Sequence, residues 1–507
     1  MLVQDYPSTI TLGILLLLTP NIAHGQQNIN SNGLNHIPPH EMAEGKLWGA
    51  SIAQMDDTLF ISATGDVEEG EPGLVWEMVL NGDSWEYGQM FESPASPGDG
   101  FGHAVAVADS ILVIGAPFAE NEDGDVTGKV FLYLKEEEDW KLEYELSPEN
   151  LYDGARFGHS LAADSGRVIV GAPDQQGYDE LENAGSAYGF DLTRNPGEKP
   201  EASNINVSMP SSNEHFGHAV DIKGGWAIIS TFESGMVVGP RNRVFLFDQS
   251  EVNGGWYRRE YLTKSGDNWP QYGTDVAISR ESALVGFPRE QVDGSQVGGV
   301  YSFSGFQSSE GINEPEILTP AHPQGFMNYG SGVAVSSEIL AVSSNDGVEI
   351  YNWLDNAWSR TAIFEPQIAG EISFTGRVAV NDHFVVASGV PNTEDGYNNP
   401  GIYWQRLDEV TSAQKKRQMT TGFELEKAYP NPFNPTTVIQ YSLSNADYVR
   451  LEVFDLLGRK VDILADGIKP AGEHTAVFNG TQLTSGVYIY TIKVGNSIMT
   501  EKMTMIK

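Results

Sequence analysis

Three histidines occupy one position of a recurring motif: His103 and His218 in Phe-Gly-His-Ala, His159 in Phe-Gly-His-Ser. Imidazole is a common zinc ligand, and three of them meeting about 2 Å from one ion would make a metal centre. Each is a whole repeat from the next, however, and equivalent positions of different repeats are expected to be held apart by the architecture. The expectation is therefore a packing or surface role. The acidic run Glu120-Asn121-Glu122-Asp123-Gly124-Asp125 has oxygen donors for a hard cation but lacks the bidentate Glu that closes a twelve-residue calcium loop, and reads as a hydrated loop. Asp293-Gly294 and Asp395-Gly396 read as turns. His40-Glu41 is followed by Glu44 rather than a second His, so the zinc-protease pattern is incomplete. Gly128-Lys129 lacks the upstream Gly and the following Ser or Thr of a phosphate loop, and Gly98 and Gly100 are followed by His103 where a dinucleotide loop needs Gly. There is no Gly-x-Ser-x-Gly elbow for a nucleophilic serine. With 69 Asp and Glu, some carboxylate pair must lie close, so proximity alone is no sign of glycoside hydrolysis. Cysteine is absent, which excludes disulfides, a thiol nucleophile, thiolate metal sites and a lipidated cysteine. No catalytic, cofactor-binding or metal-ligating residue is assigned.

The elements that carry these residues repeat. Trp48-Gly49, Phe101-Gly102, Phe157-Gly158, Phe216-Gly217, Tyr272-Gly273, Tyr329-Gly330 and Phe374-Thr375 follow one another at intervals of 53, 56, 59, 56, 57 and 45 residues. A period in this range signals a propeller or solenoid. In the second unit Val105 and Val107 alternate with alanines, Asp109-Ser110 makes a tight turn, and Ile111 to Ile114 is a second strand. A polar loop ends at Gly128; Val130, Leu132 and Leu134 mark a third strand, and Trp140, Leu142, Tyr144 and Leu146 a fourth. Four antiparallel strands per unit make a propeller blade. The seventh unit offers RVAVNDHFVVAS and GIYWQRL but little that resembles a fourth strand. A closed ring could borrow one from Asn35 to Ile37.

These units resemble the FG-GAP repeat, a seven-bladed propeller repeat also seen in integrin α-subunits. The resemblance spans roughly residues 48 to 408, with FG at Phe101, Phe157 and Phe216 and GAP at Gly115 to Pro117 and Gly171 to Pro173 as its clearest marks. The family often carries a calcium loop of the form DxDxDGxxDL before the GAP strand. Here the corresponding places hold short turns such as Ala108-Asp109-Ser110 and Asp164-Ser165-Gly166, with too few oxygens for calcium, so those sites are not carried over.

The two ends read as addresses. An apolar run from Ile10 to Leu18 precedes Ala23-His24-Gly25, a small-x-small cleavage pattern before Gln26, although Asp5 is the sole charge ahead of it. The run is too short to span a membrane as a mature helix. From Phe423 onward the chain carries YPNPFNPTT (Tyr429 to Thr437), DLLGR (Asp455 to Arg459), PAGEH from Pro470 and SGVYIY from Ser485. In this order they resemble the type A sorting domain of the type IX secretion system of Bacteroidetes and related bacteria. That implies export through the periplasm and across the outer membrane, by handling from the type IX machinery, to the cell surface or the medium. Val449, Leu451 and Val453 alternate with Arg450 and Glu452, while Val487 to Ile492 is apolar on both faces apart from Thr491, as in a strand inside a sandwich.

The organisation expected is thus all-β: a signal peptide (1–25), a seven-bladed β-propeller (26–410), a linker (411–422) and an immunoglobulin-like β-sandwich (423–507). The net charge of −39 is uneven: residues 415–507 hold 11 Lys and Arg against 9 Asp and Glu, so the rest carries −41. Such a surface repels nucleic acid and anionic lipid. The function expected is that of an exported, non-enzymatic binding module for an extracellular protein or glycan. A polymer-degrading hydrolase or lyase on a propeller scaffold and a structural surface-layer component are the alternatives. A convergent polar cluster with perturbed carboxylates in the central cleft would favour the enzyme; its absence would favour binding.

Overall fold

The computed structural model describes residues 28–29, 35–177, 180–195, 197–207, 210–232, 242–250, 252–263, 271–292, 294–308, 311–321, 327–354, 356–365, 372–391, 401–407, 423–425, 428, 431, 433–443, 447–455, 459–470, 472–481, 483–494 and 497–506. The segments expected to be a signal peptide (1–25) and a linker (411–422) lie outside them, as do Asp293 and Asp395-Gly396. The chain divides into two compact units, Met1–Gln405 and Arg406–Lys507.

Short alternating segments fold the first unit into antiparallel sheets. The second repeat gives Val105–Ala108, Ile111–Ala116, Lys129–Glu136 and Asp139–Leu146, joined in that order. Its first hairpin pairs Val105 with Ile114 and Ala108 with Ile111, and Asp109 turns the chain at φ 53°, which a short polar side chain tolerates. Among the described residues there are seven such sheets, and their first strands touch in succession until Ile372–Val380 meets Leu47–Met55. The result is a closed β-propeller. The last sheet holds Ile372–Val380, Phe384–Pro391 and Gly401–Arg406, and its fourth place is taken by Asn35–Ile37. Asn35 pairs with Trp404, His36 with Tyr403 and Ile37 with Ile402, so the amino-terminal segment closes the ring.

The repeated motif is an inter-sheet joint. Phe101, Phe157 and Phe216 are fully buried between adjacent sheets; Phe101 packs with Phe60, Phe91 and Tyr133 of the first and second sheets. Burying such a ring contributes roughly 1.5–3 kcal/mol. The glycine after the ring and the glycine of the GAP strand let two backbones meet. Gly158 sits at φ +94°, and a Cβ on Gly171 would lie 2.0 Å from the Gly217 carbonyl oxygen. Only glycine fits there. Tryptophans that open the last strands pack back on the preceding sheet: Trp140 Nε1 donates to Glu77 Oε1 (2.9 Å) and Trp358 Nε1 to Ser282 Oγ (3.1 Å).

The second unit is a two-sheet sandwich. Phe423–Leu425, Thr436–Leu443 and Gly472–Asn479 form one sheet; Lys460–Lys469, Asp447–Asp455, Gly486–Val494 and Ser497–Met505 form the other. Val449, Leu451, Val453, Tyr490 and Ile492 are buried in the core. Gly486–Val494 is central in its sheet, yet only one face is sealed: Val487, Ile489 and Thr491 stay half-buried, so the strand is less enclosed than its composition implies. Asp455 accepts from Arg459 N (3.0 Å) and Nε (2.7 Å), which ties the two ends of the DLLGR segment together. No helix among the described residues is long and apolar enough to cross a membrane.

Candidate functional site

The first strands of the seven sheets enclose an axial channel of about 610 Å³, within the range of small-ligand sites (about 300–1,000 Å³). Residues directly after the joint glycines gather at one end of it. His103, His159, His218, Thr274, Ser331 and Arg377 all line the cavity.

The three histidines, expected to be kept apart by the ring, are instead neighbours. The His103 and His159 ring centroids are 4.8 Å apart, and those of His159 and His218 are 5.5 Å apart. The reason is radial. Equivalent positions on outer strands diverge, but innermost strands converge on the axis, so the bends that lead into them bring the histidines together. Phe118 meets His103 edge-on (6.4 Å) and Phe232 stacks on His218 (4.3 Å), so five rings form a continuous arc. Among the described residues, no group of three or more His, Asp or Glu is arranged to hold a metal ion.

Burial keeps the imidazoles neutral. It pushes His103 and His218 down to about 4, with the Arg377 charge adding to both, and holds His159 well below its usual range with its two histidine neighbours adding. His159 Nδ1 is sealed from solvent and has no partner among the described residues. Beside the arc, Asp174 accepts from Arg156 Nε (2.7 Å) and pairs with His215 Nδ1 (2.7 Å), and the Arg156 guanidinium lies over the Phe118 ring. The Arg377 guanidinium is exposed to the channel and makes no ion pair or hydrogen bond among the described residues.

Two carboxylates line the same wall. Asp221 accepts from Ile222 N (2.8 Å) and, across to the next sheet, from Ile278 N (2.7 Å). Asp275 accepts from Val276 N (3.0 Å) and from Val333 N (2.8 Å) of its neighbour. Burial raises Asp221 to about 7 and Asp275 to about 6, although both pairs of backbone donors favour the charged form. Each carboxylate therefore spends both oxygens stapling adjacent inner strands. Ser51 does the same work between the first two sheets, where its Oγ accepts from Val105 N (3.1 Å).

The remaining sequence candidates serve the fold. His40 caps a 3-10 turn (Glu41–Ala43), its Nδ1 accepting from Met42 N (3.2 Å), and packs on Trp76 and Tyr87. In the acidic loop, Asn121 Oδ1 accepts from Asp123 N and Asp125 N, both 2.9 Å, which folds the loop on itself. Gly128 lies flat on Phe157, where a Cβ would come within 2.2 Å of its carbonyl oxygen. A larger surface groove of about 1270 Å³ runs along Arg167, Asp191, Arg194, Arg258 and Arg259, and apart from Arg258 these charges are paired: Asp191 with Arg167 and Arg194, Arg259 with Asp248. The channel mouth, with its uncommitted Arg377, is the stronger candidate. Sequence reasoning missed Arg377 because the joint motif in the last unit is degraded to Phe-Thr-Gly, which hides that Arg377 follows the joint glycine as the histidines do.

Comparison with known proteins bears on both units. Residues 427–507 match the family described as the secretion system C-terminal sorting domain, and residues 89–133 match the FG-GAP repeat. No curated protein matches the chain. Among solved structures it is similar to Pyrococcus horikoshii acylaminoacyl peptidase, at 11% identity and TM-score 0.41, covering 80% of this chain and 58% of the peptidase. It is also similar to PorZ, an essential bacterial surface component of the type IX secretion system of Porphyromonas gingivalis, at 12% identity and TM-score 0.26, covering 96% and 86% of the two chains. A subtype N11 neuraminidase-like protein of A/flat-faced bat/Peru/033/2010 (H18N11) matches at 10% identity and TM-score 0.35, covering 75% and 95%. The sorting tail marks the protein for export across the outer membrane, to the cell surface or beyond. The chain carries an FG-GAP repeat within a β-propeller and ends in a type IX secretion sorting domain.

Proposed function

We propose that the exported propeller is a non-enzymatic binding module that takes an extracellular ligand at the histidine end of its axial channel. The observation that carries this reading is the division of labour in the channel wall. The groups best suited to acid–base work, Asp221 and Asp275, are committed to backbone N–H donors, whereas the uncommitted groups are a guanidinium and neutral imidazoles. Such a set recognises and orients, with no carboxylate left to protonate a leaving group and another to activate water. Arg377 lies within a strand (Ile372–Val380) and the histidines lie in the bends that lead directly into the inner strands, so the set is held in place before the ligand arrives.

The perturbed carboxylates are also the feature that favours the second reading, a hydrolase or lyase acting on extracellular polymer. A screen of the purified protein on glycan and protein arrays, run beside an assay for new reducing ends or unsaturated products from the glycans it retains, separates the two. Retention without cleavage is the expected result. Cleavage that disappears in Asp221→Asn or Asp275→Asn, with retention kept, would establish the enzyme instead.

A further inference from the structure

We propose that the channel mouth is an oxyanion site, in which Arg377 and the His103–His159–His218 arc hold the carboxylate or sulfate group of an acidic sugar or a free inorganic sulfate. This rests on the binding reading and names its ligand chemistry.

Three independent features converge. First, Arg377 makes no ion pair or hydrogen bond among the described residues, the Asp275 carboxylate feeling its charge only at a distance, in a chain region with an excess of 41 negative charges. Several other arginines of the propeller are paired: Arg156 with Asp174, Arg243 with Glu214 and Arg360 with Glu349. A fork of N–H donors left free inside a concave wall matches the geometry of a carboxylate or sulfate. Second, the arc beside it is rich in ring nitrogens that make no hydrogen bond among the described residues; His159 Nδ1 is sealed from solvent, so it is the other nitrogens of the arc that a ligand can reach. Third, the flanking Phe118 and Phe232 exclude water from the ends of the arc and offer apolar edges to a sugar ring.

The acidic exterior does not defeat this. The charged groups that face the arc are Arg377 from the last sheet, Arg156, Asp174 and His215 from the rim, and Asp221 and Asp275 from the wall. Asp174 is neutralised by Arg156, and near pH 6 Asp221 is largely protonated and Asp275 about half so, which leaves the local balance positive there. A bound anion supplies the negative charge that the imidazoles lack. It therefore favours their protonated forms, and binding is accompanied by proton uptake.

Isothermal titration of the full-length protein with sodium glucuronate, with sodium sulfate and with glucose as neutral control tests this at pH 6 in two buffers of different ionisation enthalpy. Both anions should bind and glucose should not, with a binding enthalpy that changes between buffers. Arg377→Gln, at an exposed position with no ion pair or hydrogen bond to lose among the described residues, should melt as the parent does and bind both anions at least tenfold more weakly. His159→Gln should reduce the proton uptake. Glucuronate binding tenfold tighter than sulfate assigns the site to an acidic saccharide; equal affinity assigns it to the free ion. Unchanged affinity in Arg377→Gln, or no anion bound by the parent, overturns the proposal. A glycan retained on the array by both parent and Arg377→Gln would overturn the oxyanion site alone and leave the binding reading intact.

Discussion

His159 is caught between two demands. Its ring completes an aromatic arc, yet its place between two other imidazoles makes a proton there costly. The sign of the resulting pH dependence follows from linkage. Unfolded, each histidine titrates near 6.5; folded, His103 and His218 do so only at about 4. Between these values the unfolded chain binds more protons, so stability rises with pH: the histidine contribution is complete above about 6.5 and is lost as pH falls through 4. Asp221 and Asp275 act in the opposite direction. They titrate at about 7 and 6 when folded against 3.8 otherwise, so their contribution declines as pH rises through that interval. Urea unfolding of His103→Gln/His218→Gln should therefore show an acid limb about 1–3 kcal/mol per histidine shallower at pH 4 than the parent. Curves that run parallel from pH 7 to 4 would refute the assignment. The staple role of Asp221 makes a separate claim. Asparagine has one acceptor oxygen where the structure uses two, so Asp221→Asn leaves the N–H of Ile222 or Ile278 unpaired and should cost about 1–3 kcal/mol at pH 8. An unchanged unfolding midpoint there would remove the staple.

The inter-sheet joint explains why the motif reads as it does. Gly171 and Gly154 separate its two ingredients. A Cβ on Gly171 would collide with the Gly217 carbonyl oxygen at 2.0 Å, whereas Gly154 sits at φ +81° with nothing within 4 Å. Gly171→Ala must force the third and fourth sheets apart and should cost about 3 kcal/mol or more; Gly154→Ala bears only backbone strain, about 1–2 kcal/mol. Differential scanning calorimetry of the two variants should rank them in that order, and the reverse order would mean that the joint is looser than its geometry. These joints also govern what was legible beforehand. The strand order within a sheet shows in alternation such as Val130, Leu132, Leu134, and the joints show as a fixed period, because both are local or periodic properties of the chain. The closing strand was visible only as a vacancy in the last sheet: Asn35 and His36 are half-buried and polar, and Ile37 alone carries an apolar signal. The histidine arc was legible as a repeated position but not as a cluster. Intervals of 56 and 59 residues measure the path round a sheet, whereas contact at the axis depends on the radius of the ring, which no spacing encodes. Arg377 was hidden for the related reason that its joint has lost the Phe-Gly signature that marks the position elsewhere.

The two units are built separately, and the second carries the sorting signal. Their surfaces differ in charge, with −41 before residue 415 and +2 after it, and their cores are assembled separately. The clusters of the propeller draw on sheets that adjoin in the ring, from Ile37 in the closing strand to Trp404 beside it. The core of the tail draws on Ala428 to Met505, with Val449, Leu451, Tyr490 and Ile492 at its centre. Because the amino-terminal strand, and not a segment of the tail, completes the last sheet, the ring has no missing element for the tail to supply. A propeller closed in this way is stable through its own sheet-to-sheet interfaces. Deleting residues 423–507 should accordingly leave its melting temperature within about 2 °C of the value in the full-length protein, since none of the propeller's inter-sheet clusters is touched. Export should respond quite differently. The family match covers residues 427–507, nearly the whole deleted segment, so the truncated protein has lost the signal read by the type IX machinery. Expressed in a host with that system, the full-length protein should reach the cell surface or the medium, while the truncated form accumulates in the periplasm, folded and resistant to protease. Appearance of intact truncated protein outside the cell would show that the propeller itself carries an export signal. Degraded, poorly folded protein in the periplasm would instead show that the ring depends on the tail.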